Sequence, residues 1–236
     1  MTAYASTVKP YKGIGMEGAT AKWYASLTCK SLNEFQALAR RVAQRIEPGS
    51  SVLEVAPGPG YFAIELAKLG DYRITGLDIS NTFVKIARAN AAKAGVQVDF
   101  QQGNASAMPF GGRSFDFLLC RAAFKNFTEP QRALEEMYRV LKPGGQALII
   151  DLRRDASYAS ICEAVDRMHL GLVNRIITRL TFRFMLLRRA YTKAEFEQWI
   201  PQTKFRNFTI QEDLIGLEVQ LTRGSALANS GILPGL

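Results

Sequence analysis

The middle of the chain alternates between two hydrophobic periods. Ser51–Ala56 is a short apolar run rich in β-branched residues, and Pro57-Gly-Pro-Gly60 breaks it. Residues 61–69 then carry apolar side chains at helical spacing, with Gly70 as the stop. Arg73–Asp78 reads as a second strand, and Ser80 is placed to cap a helix that runs to about Ala94 and ends at Gly95. A third strand is expected over Val96–Gln101 and a fourth over Ser114–Cys120. Glu129-Pro130 opens a helix to Leu141, and Lys142-Pro-Gly-Gly145 turns into a fifth strand, Gln146–Asp151. Each parallel crossover needs a helix to cover a face, so this succession predicts a doubly wound, mostly parallel α/β sheet.

After Asp151 the rhythm changes. Residues 153–190 are mostly helical by pattern, with Arg175, Arg179 and Arg183 every four residues and Ile176, Ile177, Leu180, Phe182, Phe184 and Met185 around them. That spacing predicts a packed helix with its arginines on one solvated face. The same composition also suits a membrane-surface contact. Thr192 caps a short helix to Ile200, and Phe205–Gln211 with Leu214–Thr222 form a hairpin around Glu212-Asp213 that brings the strands to seven. Residues 1–236 therefore read as a single domain: cap helices in 1–49, a core in 50–151, an Arg-rich helical insertion in 152–190, and a helix and hairpin in 191–228. Residues 229–236 read as a loose tail.

Composition narrows the class. With 47% hydrophobic and 22% charged residues, the 236-residue chain can bury a real core, which excludes disorder, collagen and a disulfide scaffold. No apolar run approaches the ~20 residues of a spanning helix, and Met1–Gly13 has no signal-like apolar stretch. Cys29, Cys120 and Cys162 lie far apart without metal-ligand spacing, so they read as reduced thiols in a cytoplasmic protein, and no metal site is implied. The net charge of +9 is concentrated outside the middle hundred residues, and all eight basic residues of 151–190 are arginine. This favours an anionic partner or simply a charged surface.

The chemistry concentrates at Val52–Tyr61. A strand ends, glycines let the backbone approach a ligand, and a helix begins. Asp78, at the end of the next strand, can accept hydrogen bonds from two ribose hydroxyls. Glu54, inside the first strand, would repel the diphosphate of NAD but suits a ligand carrying an ammonium and a sulfonium.

Glu54-Val-Ala-Pro-Gly-Pro-Gly60 resembles the first motif of the class I S-adenosylmethionine-dependent methyltransferases, and Leu77-Asp-Ile-Ser80 resembles their second. Gln102–Phe110, Ser114–Leu119 and Arg139–Gly145 are similar to the family's later motifs, in order. Ala123–Pro130 with Ala133–Met137 is similar to the ubiquinone and menaquinone C-methyltransferases. The resemblance covers residues 50–151 and implies a Rossmann-like fold and S-adenosylmethionine as donor, with S-adenosylhomocysteine as product. Carried over by position, Glu54 would hold the methionine amino group, and Gly58 and Gly60 would make room for the methionyl portion. Asp78, beside Ile79, would take the ribose, Asn104 and Ala105 would face the adenine, and Arg121 would line the floor. Ala56 stands where the motif has its first glycine, which is tolerable if φ there is negative. Asn104 replaces an aspartate but keeps an acceptor oxygen.

The remaining candidates concern the acceptor. His169, the sole histidine, and Tyr24 are the catalytic candidates, although a histidine in such a helical segment is more often packed or on the surface. Lys125 and Asn126 follow the fourth strand, at the edge where open α/β sheets bind ligands. Tyr24, Arg175 and Arg179 join them as acceptor-pocket candidates, the arginines through a lid over that pocket. The expected reaction is methyl transfer to a small organic oxygen, nitrogen or carbon nucleophile, anionic or aromatic. An RNA-directed methyltransferase is the alternative raised by a pI near 9.6, and no [DN]-P-P-[YF] motif supports it. A non-catalytic donor-binding protein is the second alternative, and oligomeric state is left open.

Overall fold

The computed structural model describes residues 11, 12 and 15–225; the tail expected at 229–236 lies outside the described residues. Seven strands form one sheet: β1 (Ser51–Val55), β2 (Arg73–Asp78), β3 (Asp99–Gln102), β4 (Phe115–Arg121), β5 (Leu141–Leu152), β6 (Asn207–Glu212) and β7 (Gly216–Thr222). Their spatial order is β3-β2-β1-β4-β5-β7-β6. The first five are parallel, and β7 lies antiparallel between β5 and β6, as the Rossmann-like expectation has it.

Two apolar layers cover the sheet. On one face α2 (Leu32–Ala43), α3 (Tyr61–Ala67) and α4 (Asn81–Ala94) pack Phe35, Val42, Phe62 and Ala87 over Val52, Ile74 and Leu119. On the other, α5 (Pro130–Val140) and α8 (Lys193–Trp199) pack Leu134, Met137 and Phe196 over Leu53, Leu118 and Ile149. Local chemistry sets the helix ends. The Ser80 hydroxyl accepts from the Phe83 amide, Gly95 closes α4 at φ 69°, and Thr192 with Glu195 forms a reciprocal capping box on α8.

The fold crowds the turn after β1. A Cβ on Gly76 would meet the buried Phe100 ring at 2.4 Å, and one on Gly60 would meet the same ring at 2.7 Å. One aromatic side chain on β3 thus occupies the space two glycines leave, drawing β3, β2 and the β1–α3 turn together.

Residues 153–190 depart from expectation. They form α6 (Tyr158–Asp166) and α7 (Leu172–Thr181), and α7 continues through a π-type turn at Phe182–Leu186 and a 3-10 turn at Leu187–Arg189. The expected packed helix is not found, although Arg183 of the expected solvated stripe is exposed. α7 buries no residue, its apolar side chains are exposed, and Arg179 and Arg175 turn inward to Asp166 on α6, at 2.7 and 3.7 Å. The two guanidiniums meet the Asp166 carboxylate, and the apolar face lies outward. Phe182 and Leu187 still pack inward, on Ile161 and Val165. Ahead of the core lies α1 (Gly18–Thr28).

Candidate functional site

The C-terminal ends of β1, β2, β4 and β5 open into a cavity of about 550 Å³, a volume in the range of cofactor pockets. Two buried carboxylates stand at its floor. Glu54 reaches from β1 toward α3, where its Oε2 accepts from the Ala63 amide at 3.1 Å. Asp78, the last residue of β2, accepts from the Gly58 amide and from its own neighbour Ser80, both at 2.9 Å. Asp78 therefore clamps the β1–α3 turn to the end of β2.

Burial dominates the charge state of both. It pushes the Glu54 carboxyl up to about 8, against the downward pull of the Ala63 amide and the Arg121 guanidinium. It pushes Asp78 up to about 6, even though the Ser80 and Gly58 amides favour its ionised form. A bare pair of buried acids is a costly arrangement, and a cationic or hydroxyl-bearing ligand would relieve it.

Backbone strain marks the same rim. Ala56 has φ 57° and Ala122 has φ 56°, at the ends of β1 and β4, and both line the cavity. The negative φ that would make Ala56 an untroubled substitute for glycine is not what the chain adopts. The turn bends left-handed at Ala56, whose amide still donates to the Leu77 carbonyl at 2.7 Å, and the methyl is carried at a steric cost.

Of the nine donor-side candidates, eight line the cavity: Glu54, Ala56, Gly58, Asp78, Ile79, Asn104, Ala105 and Arg121. Gly60 does not. It sits under the Phe100 ring at φ 80°, so its demand for glycine comes from the left-handed backbone and from packing. The Asn104 Oδ1 accepts from the Ser106 amide at 2.9 Å, which fixes the loop and leaves one lone pair of that oxygen for a ligand. Arg121 pairs with Glu34 at 2.7 Å and lies over the Phe35 ring, both from α2.

Tyr24, Lys125 and Asn126 also line the cavity. Tyr24 sets its ring edge-on to Phe83, with centroids 5.9 Å apart. Lys125 is buried, its Nζ 3.0 Å from Asp151 at the end of β5, and its amide donates to the same carboxylate at 2.8 Å. The acceptor-side guesses in the helical insertion do not reach the cavity. Arg175 and Arg179 are held by Asp166, and His169 is exposed at φ 51° beyond the end of α6. The part of that segment that does line it is Leu186 with Arg189, which follow the arginine stripe.

Asp151 could have been found from the sequence, as a carboxylate ending an apolar strand. Arg189 carries no such signal. The N-terminal stretch is anchored over the site: the Glu17 carboxylate accepts from the Asn81 and Thr82 amides at 2.9 and 3.1 Å, and the Lys12 amide donates to the Asn126 carbonyl at 2.8 Å. Tyr11 and Glu17 both line the cavity, and burial raises the Tyr11 hydroxyl above its ordinary value.

Residues 53–149 match the family model described as a methyltransferase domain. The chain is 33% identical over 116 residues to a ubiquinone/menaquinone biosynthesis C-methyltransferase from Marinomonas sp., covering 48% of this chain and 46% of that one. It is 37% identical over 110 residues to a demethylmenaquinone methyltransferase from Listeria monocytogenes, covering 45% and 46%. A crystal structure from Methanococcus maripaludis, assigned to the S-adenosyl-L-methionine-dependent methyltransferases, shares the fold over 91% of this chain and 96% of that one, with a TM-score of 0.72 at 18% identity. Residues 53–149 thus resemble a methyltransferase domain, and the structural likeness shows the fold of the chain. The matched segment spans about half the length of the curated relatives, and it contains the strand ends that bear Glu54, Asp78 and Arg121.

Two outcomes follow from this geometry. Ala56→Gly relieves the left-handed strain and should stabilise the ligand-free domain by ~1 kcal/mol in urea titration; a loss of stability would show that the methyl makes a needed contact. The second concerns pH. A carboxyl whose folded-state pKa lies above its ordinary value of 4.5 keeps a proton that the unfolded chain gives up, so its stabilising contribution falls as pH rises from about 4.5 to about 8. Glu54→Gln removes that ionisation but keeps the acceptor for Ala63. It should raise Tm at pH 8 by about 3–8 °C and have a smaller effect at pH 5, which differential scanning calorimetry would show.

Proposed function

We propose that this chain moves the methyl group of S-adenosylmethionine to a small, largely apolar organic acceptor held beside the donor in the same cavity. The observation that carries the reading is the pairing of two buried carboxylates, Glu54 and Asp78, at adjacent parallel strand ends around a glycine turn. Such a floor fits a donor with a cationic amino acid end and a ribose diol. Glu54 takes the methionine amino group, and Asp78 takes the diol while its other contacts hold the turn. Asn104 and Ala105 border the adenine, and Arg121, tethered by Glu34, keeps its charge at the edge of the methionyl region.

Bound S-adenosylmethionine supplies a methyl group already activated by a positive sulfur. The residues of the chain therefore have mainly to align an acceptor and exclude water. The α1 approach, pinned by Glu17 to the start of α4, covers the donor side. On the β4–β5 side, Lys125 is fixed by Asp151 and the Ala122 carbonyl, with Phe127, Leu152 and Leu186 as apolar neighbours along the wall. A mostly apolar wall with one oriented ammonium suits an aromatic or quinol-like acceptor that carries an oxygen. The relatives named for ubiquinone/menaquinone biosynthesis and demethylmenaquinone support that class.

Asp78→Ala should weaken S-adenosylmethionine binding by ~1.5–3 kcal/mol, the scale of a charged hydrogen-bonding partner. NADH should show no measurable binding to either protein. Isothermal calorimetry giving the same donor affinity for both would remove the donor assignment. Transfer of a labelled methyl group to a panel of hydroxyaromatic and quinol acceptors then tests the reaction itself.

A further inference from the structure

Twelve large apolar side chains are exposed among the described residues, and nine of them lie between Tyr158 and Met185. On α7 alone, Leu172, Val173, Ile176, Ile177 and Leu180 are 49–68% exposed, and no residue of the helix is buried. Phe184 and Met185 extend the strip through the π-type turn. An apolar strip of this kind on a helix is not what a solvated face carries.

Apart from Asp166, which Arg175 and Arg179 share, the charge around the strip is positive. Residues 167–190 contain six arginines and neither aspartate nor glutamate. Arg183 lies over the Tyr158 ring at 5.0 Å and the Phe184 ring at 5.3 Å, and Arg188 lies over Phe184 at 5.6 Å. These guanidiniums border the exposed aromatics directly. Apolar side chains on one face, with arginines along their margin, fit the boundary between acyl chains and anionic headgroups. A second copy of the chain would fit worse, because a two-fold contact would bring two arginine-rich strips of like charge together.

We propose that α7 and the turn after it dock in the plane of an anionic lipid bilayer. The docking stands independently of methyl transfer. A consequence for the acceptor rests on the proposed function: Leu186 and Arg189, on the same helical run, line the cavity, so docking would place a cavity wall at the lipid interface and favour a lipid-soluble acceptor.

Vesicle flotation tests this with the whole chain. The protein should float with phosphatidylglycerol/phosphatidylcholine vesicles, about fivefold less with phosphatidylcholine alone, and progressively less as salt screens the arginines. Val173→Glu with Ile177→Glu should cut partitioning about tenfold, and Leu172→Ser with Leu180→Ser about threefold, while the calorimetric Kd for S-adenosylmethionine stays within about twofold. The serine pair adds no charge and decides the matter if the glutamate pair does not fold. Failure of the wild type to float with the anionic vesicles would overturn the proposal, as would equal flotation of wild type and a folded variant. A wild-type dimer in sedimentation velocity that the variants dissociate, without vesicle binding, would make this face a contact between copies instead. Vesicle binding by a protein that does not bind S-adenosylmethionine would leave the docking surface standing and remove the methyl-transfer reading.

Discussion

The Asp78 carboxylate is the joint on which the site is built. It ends β2, takes the Gly58 amide from the loop after β1, and takes the Ser80 amide that leads into α4. Three segments are therefore held at one buried point, and Gly103 adds a fourth by donating to the Asp78 carbonyl at 2.9 Å. The Phe100 ring closes the same junction from the apolar side, against Gly60 and Gly76. The rim of the sheet is thus shaped by contacts within the chain itself, which suits a site that works mainly by alignment.

This preorganisation has an internal cost. Two acids are buried at the same floor, Asp78 adding to the upward push of burial on Glu54, and two alanines are bent into left-handed backbone at the same rim. Neither feature helps an empty fold. Both become intelligible if a cationic, hydroxyl-bearing ligand completes the site, since it would restore what burial removes. The strain and the charge lie along one edge of the sheet, while the strand interiors and both covering layers are conventionally apolar.

The segment between β5 and α8 follows different physics. Its own small core is Ile161, Val165 and Leu187, with a few half-buried neighbours, and that is too little to bury a whole amphipathic helix. Asp166 is the partner that the inward arginines reach, in half-exposed pairs that add little stability of their own. The apolar face is left outward, on the run that also walls the cavity.

The alternating periods, the caps at Ser80 and Thr192 and the glycine turn after β1 were legible in the chain, because each depends on neighbours within a few residues; Glu54 and Asp78 were legible from their places on strands beside that turn, although the Ala63 and Gly58 amides they hold are nine and twenty residues away. The same locality made the strand count and the parallel core readable. Backbone sign at Ala56 was not readable, since a residue with a Cβ ordinarily avoids the left-handed region and no local pattern marks this exception. Nor was the orientation of α7: Arg175, Arg179 and the apolar residues between them define two faces, but periodicity alone does not say which one points inward. Tertiary structure decided it, setting Asp166, thirteen residues before Arg179, beside that guanidinium, and likewise brought Lys125 to Asp151 and Arg121 to Glu34. Local pattern determines what each element is; contacts between distant residues determine which way it faces, because only folding sets the distances on which ion pairs and burial depend.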